Sequence, residues 1–393
     1  MTNTIKESNI TDSAITTAKL ADSAVTNAKI TGNVNFKNII INGDMSVAQR
    51  STSTSGANTQ AYHCTDRWFN VGMTIGTWTI SQSTDVPTGQ GFAKSLKYDC
   101  TTAEASPGAG DQLHLSQRIE GQNLQYLKKG TSSAESLTLS FWVKTNKTGT
   151  YQVNLRDKDN TRIIGQTYTV SSADTWEKKT LTFAGDTTGA FGNDNGNSLE
   201  CEWFLGAGTN YTSGSVPTSW EAESATDRAA GLTVNLGDST SNEWYITGVQ
   251  LEAGTTASDF EFLPYDVNLK RCQRYLYKIH GQSGDQVIIP GATLVMATTN
   301  TVYATVPCIV PMRAAPSTSC ASGATEIMLQ NNVTPTMDSF GQFDNSSVGQ
   351  NNFYGCNHSV SASSGTPFTA GNNGGTLRTT LNVLTGFTYD AEL

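Results

Sequence analysis

Charged side chains are scarce in this 393-residue chain: Asp, Glu, Lys and Arg make up 15% of it, against roughly 25% in an average soluble protein. Thr, Ser, Asn and Gly take their place, and these residues favour turns and strands over helices. Long apolar runs are missing too, and none approaches the roughly 20 residues that a membrane-crossing helix needs. A basic face is lacking, because the formal net charge is −9, which argues against a nucleic-acid partner. The opening MTNTIKESNITDS has neither the basic segment nor the apolar core of a signal peptide, so synthesis in the cytoplasm is expected. The seven cysteines, Cys64, Cys100, Cys201, Cys272, Cys308, Cys320 and Cys356, are scattered without a CxxC pair. That spacing predicts free, mostly buried thiols rather than a disulfide framework or a metal site. HExxH, GxSxG and P-loop spacings are absent, and His63, His114, His280 and His358 are dispersed. The expectation is therefore a chain that is not an enzyme.

What is present is enough for real cores: 37% of the residues are hydrophobic, with Trp, Tyr and Phe spread along the chain. The first 35 residues carry a repeat. Ile5, Ile10, Ile15, Leu20, Val25 and Ile30 recur every five residues, and ITDSAITTAK is followed by LADSAVTNAK. Five residues advance a helix by about 500°, so these positions step around it by about 140° and cannot share one face. The period is equally wrong for a heptad coiled coil. Several identical chains winding together, each placing its Ile, Leu or Val at a common axis, satisfy the pattern. The segment 1–35 is thus expected to be a homotrimeric stalk that also docks onto another protein.

From residue 36 the chain reads as strands. Segments 76–83, 93–100, 111–119, 137–144, 150–157, 176–183, 199–206 and 243–252 are rich in β-formers. In LTLSFWVK, Leu137, Leu139, Phe141 and Val143 alternate onto one face, as Tyr151, Val153 and Leu155 do in TYQVNLRD. Gly- and Asn-rich loops separate these runs. The fold class is all-β: the stalk, then a jelly-roll β-sandwich over 36–265, then a second β-sandwich over 266–393. The boundary run LPYDVNLKRCQRYLYKIHG reads as a linker or first strand, its apolar spacing being too short for a helix.

Most tryptophans lie on strand-like segments, where core packing is expected for Trp68, Trp78, Trp176, Trp203 and Trp244. Tyr211 and Trp220 lie instead in the loop NYTSGSVPTSWEAES and are the candidates for stacking on sugar rings. Asp66 and Arg67 are expected to form an ion pair that orients the first strand. Asp44, Glu252 and Asp259 would converge if the first and last strands of the sandwich pair, and three carboxylates would suit a structural Ca2+ ion.

IINGDMSVAQR (40–50), YHCTDRW (62–68) and EWYITGVQLEAGTTASDFEFLPYDVNLKRCQRY (243–275) resemble the opening and closing segments of a module found in tailed-bacteriophage fibre and virion proteins. The repeat ITDSAITTAKLADSAVTNAKI is similar to stalk repeats of phage fibres. The strand order between these segments resembles carbohydrate-binding modules of the galactose-binding-like type. The resemblance implies a virion protein made in the host cytoplasm, attached to another virion protein through its N-terminal segment, and binding host-surface polysaccharide. Two other readings are a passive capsid or tail decoration fibre and a polysaccharide depolymerase, the latter needing two carboxylates across a cleft.

Overall fold

In the computed structural model of the chain, the structure describes residues 36–279, 301–319 and 387–393, together with strands at 286–288, 293–296, 326–330, 335–344, 355–362 and 375–380. The stalk positions Ile5 to Ile30 lie outside the described residues. Twelve strands come first in the chain: β1 (Ser53–Ala57), β2 (Phe69–Val71), β3 (Thr77–Ser83), β4 (Ser95–Thr102), β5 (Gln112–Glu120), β6 (Leu137–Thr145), β7 (Gly149–Asp157), β8 (Arg162–Val170), β9 (Glu177–Phe183), β10 (Asn197–Ala207), β11 (Glu221–Ala222) and β12 (Glu243–Ala253). They form two six-stranded antiparallel sheets, A in the order β1-β3-β4-β12-β6-β9 and B in the order β11-β8-β7-β10-β5-β2. Neighbours in sequence repeatedly sit apart in the sheets, as in a jelly roll.

The alternation read from the sequence is what closes this sandwich. Leu137, Leu139, Phe141 and Val143 of β6 face Tyr151, Val153 and Leu155 of β7 across a core in which all seven are buried. Four indoles complete it, Trp68, Trp78, Trp203 and Trp244, each fully buried. They pack edge-on: Trp68 against Trp203 at 5.6 Å, Trp78 against Tyr98 at 6.0 Å and Tyr98 against Trp244 at 5.7 Å. Edge-to-face pairs add about 0.5–1.5 kcal/mol each beyond the area they bury. Cys64, Cys100, Cys201 and Cys272 are buried thiols, Cys308 is half-exposed, and none of the five is in a disulfide.

Strand β8 escaped the sequence reading because Gly165 and Gln166 interrupt its apolar run. Gly165 is required there: a Cβ would meet Asn154 Oδ1 at 2.5 Å. The boundary run also departs from expectation. After the one-turn α1 (Thr209–Thr212), it forms a second helix, α2 (Tyr265–Gln273), before strand β13 (Leu276–Ile279). Pro264 supplies the N-cap, Asp266 lies in the first turn, and Lys270 and Arg271 lie in the last, matching the helix dipole at both ends. Apolar periodicity missed it because the buried face of α2 is Asn268, Cys272 and Gln273.

The remaining strands are β14 (Gln286–Ile288), β15 (Thr293–Met296), β16 (Thr301–Pro307), β17 (Ser317–Ser319), β18 (Glu326–Gln330), β19 (Pro335–Asp344), β20 (Gly355–Ala362), β21 (Gly375–Thr380) and β22 (Phe387–Asp390). A three-stranded sheet runs β13-β22-β17 and a seven-stranded one β14-β21-β18-β19-β20-β16-β15.

The sandwich and the three-stranded sheet meet at a joint made from the segments 42–50, 66–68 and 275–276 and Glu392. Asn42 bonds Val47 and the Asp66 carbonyl through its amide and receives the Trp68 indole on its own carbonyl, all at 2.9–3.0 Å. Asn42 (φ 59°), Met45 (φ 58°) and Arg67 (φ 73°) adopt left-handed backbone, a conformation that costs non-glycine residues about 1–2 kcal/mol each. Asp66 does not pair with Arg67. It accepts from the Gln49 backbone at 2.8 Å and from the Gln49 side chain at 2.5 Å, and the same Gln49 amide reaches the Leu276 carbonyl at 2.8 Å.

Arg67, 1% exposed, crosses the joint instead. Its guanidinium pairs with Glu392, donates to the Arg118 carbonyl at 2.6 Å, and lies 3.5 Å over the Tyr275 ring. The reason is solvation. A fully buried guanidinium needs a fully buried partner, and Glu392, with its side chain 5% exposed, provides one where Asp66 is already committed. Arg67→Ala leaves the buried Glu392 facing only the more distant Arg50, at 3.5 Å; urea unfolding is expected to show a loss of about 3–5 kcal/mol, with Glu392→Ala adding little in the double variant.

Candidate functional site

The outer face of sheet B carries a buried ionic network that the sequence did not announce. Alternation on β10 turns Trp203 and Cys201 inward, so Glu200, Glu202 and Phe204 point outward, and β5 and β7 bring His114 and Arg156 beside them. Glu202, with no exposure, accepts from Arg156 and Arg228 at 2.6 Å each, with His114 Nε2 at 3.5 Å. Arg156 also bonds Glu200 at 2.9 Å and pairs with Glu223. The two guanidinium groups hold the Glu202 carboxyl well below its ordinary range despite burial. Burial pushes the His114 imidazole down to about 3. The loop 208–231 covers this face: Gln152 bonds the Asp227 carbonyl at 2.8 Å and Gly231 N at 2.7 Å, and Asn154 bonds the Arg228 carbonyl at 2.7 Å. Glu200 and Glu202 are thus neutralised structural carboxylates.

Tyr211 and Trp220 belong to that covering loop. Tyr211 packs on Phe204 at 6.3 Å, with the Arg228 guanidinium 5.7 Å from its ring. Trp220 packs against the core, and its indole donates to the Ala184 carbonyl at 2.7 Å. The two rings rest on different neighbours and form no common platform.

Asp44, Glu252 and Asp259 do not assemble either, and among the described residues no group of three or more His, Cys, Asp or Glu is placed to hold a metal. Asp44 accepts from Ser46 and from Asn268 of α2 at 3.0 and 3.1 Å. Glu252 is used by Ser258 at 2.7 Å and Gln250 at 2.9 Å, and Asp259 is exposed. Oxygen ligands converge elsewhere, around the Lys129 ammonium: Asp157 at 2.5 Å, Asp186 at 3.0 Å and the carbonyls of Thr188 and Gly189 at 2.9 and 2.8 Å. A side-chain cation occupies the kind of oxygen cage that the sequence reading assigned to Ca2+.

The outer face of sheet A is different, because it presents aromatic rings. The alternation that turns Phe141 and Val143 inward turns Trp142 and Lys144 outward, and the same rule applied to β12 turns Tyr245 outward between Trp244 and Ile246. In register, Trp142 pairs with Thr247 on one side and Lys178 on the other, and Tyr245 pairs with Lys144 and Lys97. Trp176, just before β9, meets Tyr245 edge-on at 6.1 Å. Its indole donates to Asp85 at 2.9 Å, and Lys144 pairs with the same carboxylate. The Lys144 ammonium sits 4.5 Å from the Tyr245 ring, and Lys97 reaches Glu243 at 2.7 Å. Trp142 and Trp176 are both half-buried. Sequence reasoning placed Trp176 in the core and passed over Trp142, although the period-2 pattern it used for Phe141 already set Trp142 outside. Beyond Gly248, whose φ of 62° and close approach to Phe92 exclude a side chain, Phe92, Phe260 and the half-exposed Phe262 pack at 4.9–5.1 Å and continue the aromatic strip.

No protein-family model and no curated protein sequence matches this chain. Among solved structures, similar chains include the enzymatically active domain of tailspike protein 4 of bacteriophage CBA120, at 14% identity over 55% of this chain with a TM-score of 0.28. This chain spans 21% of that tailspike. A putative sugar-binding protein from Bacteroides thetaiotaomicron aligns at 14% identity over 55% of this chain and 99% of its own, with a TM-score of 0.30. A family 11 carbohydrate-binding module from Clostridium thermocellum aligns at 10% identity over 54% and 99%, with a TM-score of 0.24.

Acid titration between pH 7 and 4 separates two buried groups whose linkage to stability has opposite sign. The His114 imidazole is held neutral to about 3, while an unfolded histidine takes up a proton near 6.5. Its contribution to stability is therefore lost as pH falls through that window. Burial raises Asp66 from 3.8 to about 6, so its contribution has the opposite sign and grows as pH falls from about 6 to 4. Thermal melts between pH 7 and 4 are expected to show a shallower acid loss for His114→Gln and a steeper one for Asp66→Asn. The Trp220→Ala variant is expected to lose about 1–3 kcal/mol of stability by urea denaturation, less than a fully buried indole, because the ring is half-buried against the core.

Proposed function

We propose that the chain is a bacteriophage tail-fibre protein that attaches to host-surface glycan through the outer face of sheet A. The observation that carries this reading is the outward placement of Trp142 and Trp176 around Tyr245, ringed by Lys97, Lys144, Asp85 and Glu243. An aromatic face covers the apolar face of a pyranose, and the surrounding charged groups donate to and accept from its hydroxyls. Such a surface is shallow and binds one chain weakly. The five-residue repeat of residues 5–30 supports a remedy: a homotrimer presents three copies, and several fibres multiply them again, so effective concentration does most of the holding. The motifs that resemble virion modules supply the other support. The INGD, DRW and CQRY segments all contribute to one structural joint, as expected of a part that must stay folded outside the cell. The stalk then serves attachment to another virion protein.

Trp142→Ala is expected to weaken binding of the assembled protein to host cells, or to host polysaccharide on a surface, by about tenfold or more. The melting temperature should move little, because the indole is half-buried on the outer face. Unchanged cell binding by this variant, with native binding readily measured, would remove the face from consideration.

A further inference from the structure

A concave surface adjoins the Arg67 joint, sharing Arg118 and Tyr275 with it. It is a groove of about 400 Å³ between the segment 36–41, the turn 122–126 and helix α2. Phe36 and Tyr126 stand on its rims, 59% and 50% exposed. Arg271 of α2 forms part of its wall.

The charges around this groove are unequally matched. Arg274 is bound to Glu120 through two bonds of 2.6 and 2.8 Å, and Arg118 reaches Glu200 at 3.3 Å. Arg271 differs. Its guanidinium donates to the Asn38 carbonyl at 3.3 Å, and among the described residues no carboxylate lies within ion-pair distance of it. Glu261, the nearest acid on the facing segment, is occupied by the backbone amides of Phe36 and Asn38. Burial lowers the affinity of Arg271 for its proton, and the field of Glu261 offsets this only in part, so among the described residues the desolvation of this cation is incompletely compensated. A carboxylate delivered from outside would supply the bidentate partner that the planar fork is shaped for.

We propose that this groove is a second glycan site, selective for a sugar residue bearing a carboxylate. Arg271 takes the carboxylate, Tyr126 stacks on the ring, and the exposed amide of Asn123 bonds a hydroxyl. The volume falls in the range of about 300–1,000 Å³ usual for small-ligand pockets. The ligand class follows from the combination: a lone cation would accept any anion, but an aromatic rim and an amide beside it fit the faces and hydroxyls of a pyranose. The site is separate from the face of sheet A and does not depend on it.

The test uses the full-length protein on an array of uronate- and sialate-bearing oligosaccharides, printed beside their carboxyl-reduced neutral counterparts. Native protein is expected to retain an acidic oligosaccharide over its reduced form by about tenfold, less at high salt. Arg271→Gln and, from the opposite rim, Tyr126→Ala should each abolish that preference, with circular dichroism melts confirming that both variants fold. Trp142→Ala should preserve it. No preference in the native protein, or a preference that survives Arg271→Gln, overturns the proposal. A preference lost in Trp142→Ala but kept in Arg271→Gln overturns it as well, while leaving the face of sheet A as the glycan site.

Discussion

The Arg67 guanidinium is enclosed by the Tyr275 ring, the Glu392 carboxylate and the Arg118 carbonyl, and much of the molecule is arranged to satisfy it. A charge with 1% exposure costs several kcal/mol unless its partners are equally buried and correctly placed. Meeting that condition takes strand β5 of the sandwich, Tyr275 two residues past α2, and Glu392. Three segments far apart in sequence are thereby brought together at one point. The same constraint holds Asp66 on Gln49 and Gln49 on Leu276, so the entry to the sandwich and the exit from α2 are locked to each other.

This arrangement gives the two faces of the sandwich different work. Sheet B spends its outer face on internal bonding: Glu202 between Arg156 and Arg228, His114 stacked on Phe204, and the 208–231 loop tied across them. That face is closed to a ligand because its polar groups already have partners. Sheet A leaves Trp142 and Trp176 half-buried on its outer face, with Lys144 and Lys97 paired locally with Asp85 and Glu243. It is on this face that the proposed glycan contact rests.

The strand positions of the sandwich, though not their order within the two sheets, were largely legible in the sequence, since period-2 alternation is a local property. It placed β3 to β7, β9, β10 and β12 within a few residues, and turned Trp68, Trp78, Trp203 and Trp244 into the core. It failed at α2, whose buried face is polar, and at β8, where Gly165 gives way to Asn154. The candidate binding residues were less legible. Tyr211 and Trp220 stood out because they lie in a loop; both are half-buried, Tyr211 on Phe204 and Trp220 on the core. Trp142 was within reach, because a residue between two inward neighbours must face outward.

Composition and alternation alone determined that the chain is built of strands around an aromatic core, because each strand reports its own faces. Which carboxylate met which cation was decided only by the tertiary structure. Asp66 and Arg67 are adjacent in sequence yet bond to residues 17 and 325 positions away. Asp44 and Glu252 went to hydrogen bonds with Asn268 and Ser258 and Asp259 stayed exposed, while the oxygen cage formed around Lys129. The physical reason is that the strength of a charge's interactions depends on burial, and burial is a property of the packed chain rather than of any segment of it.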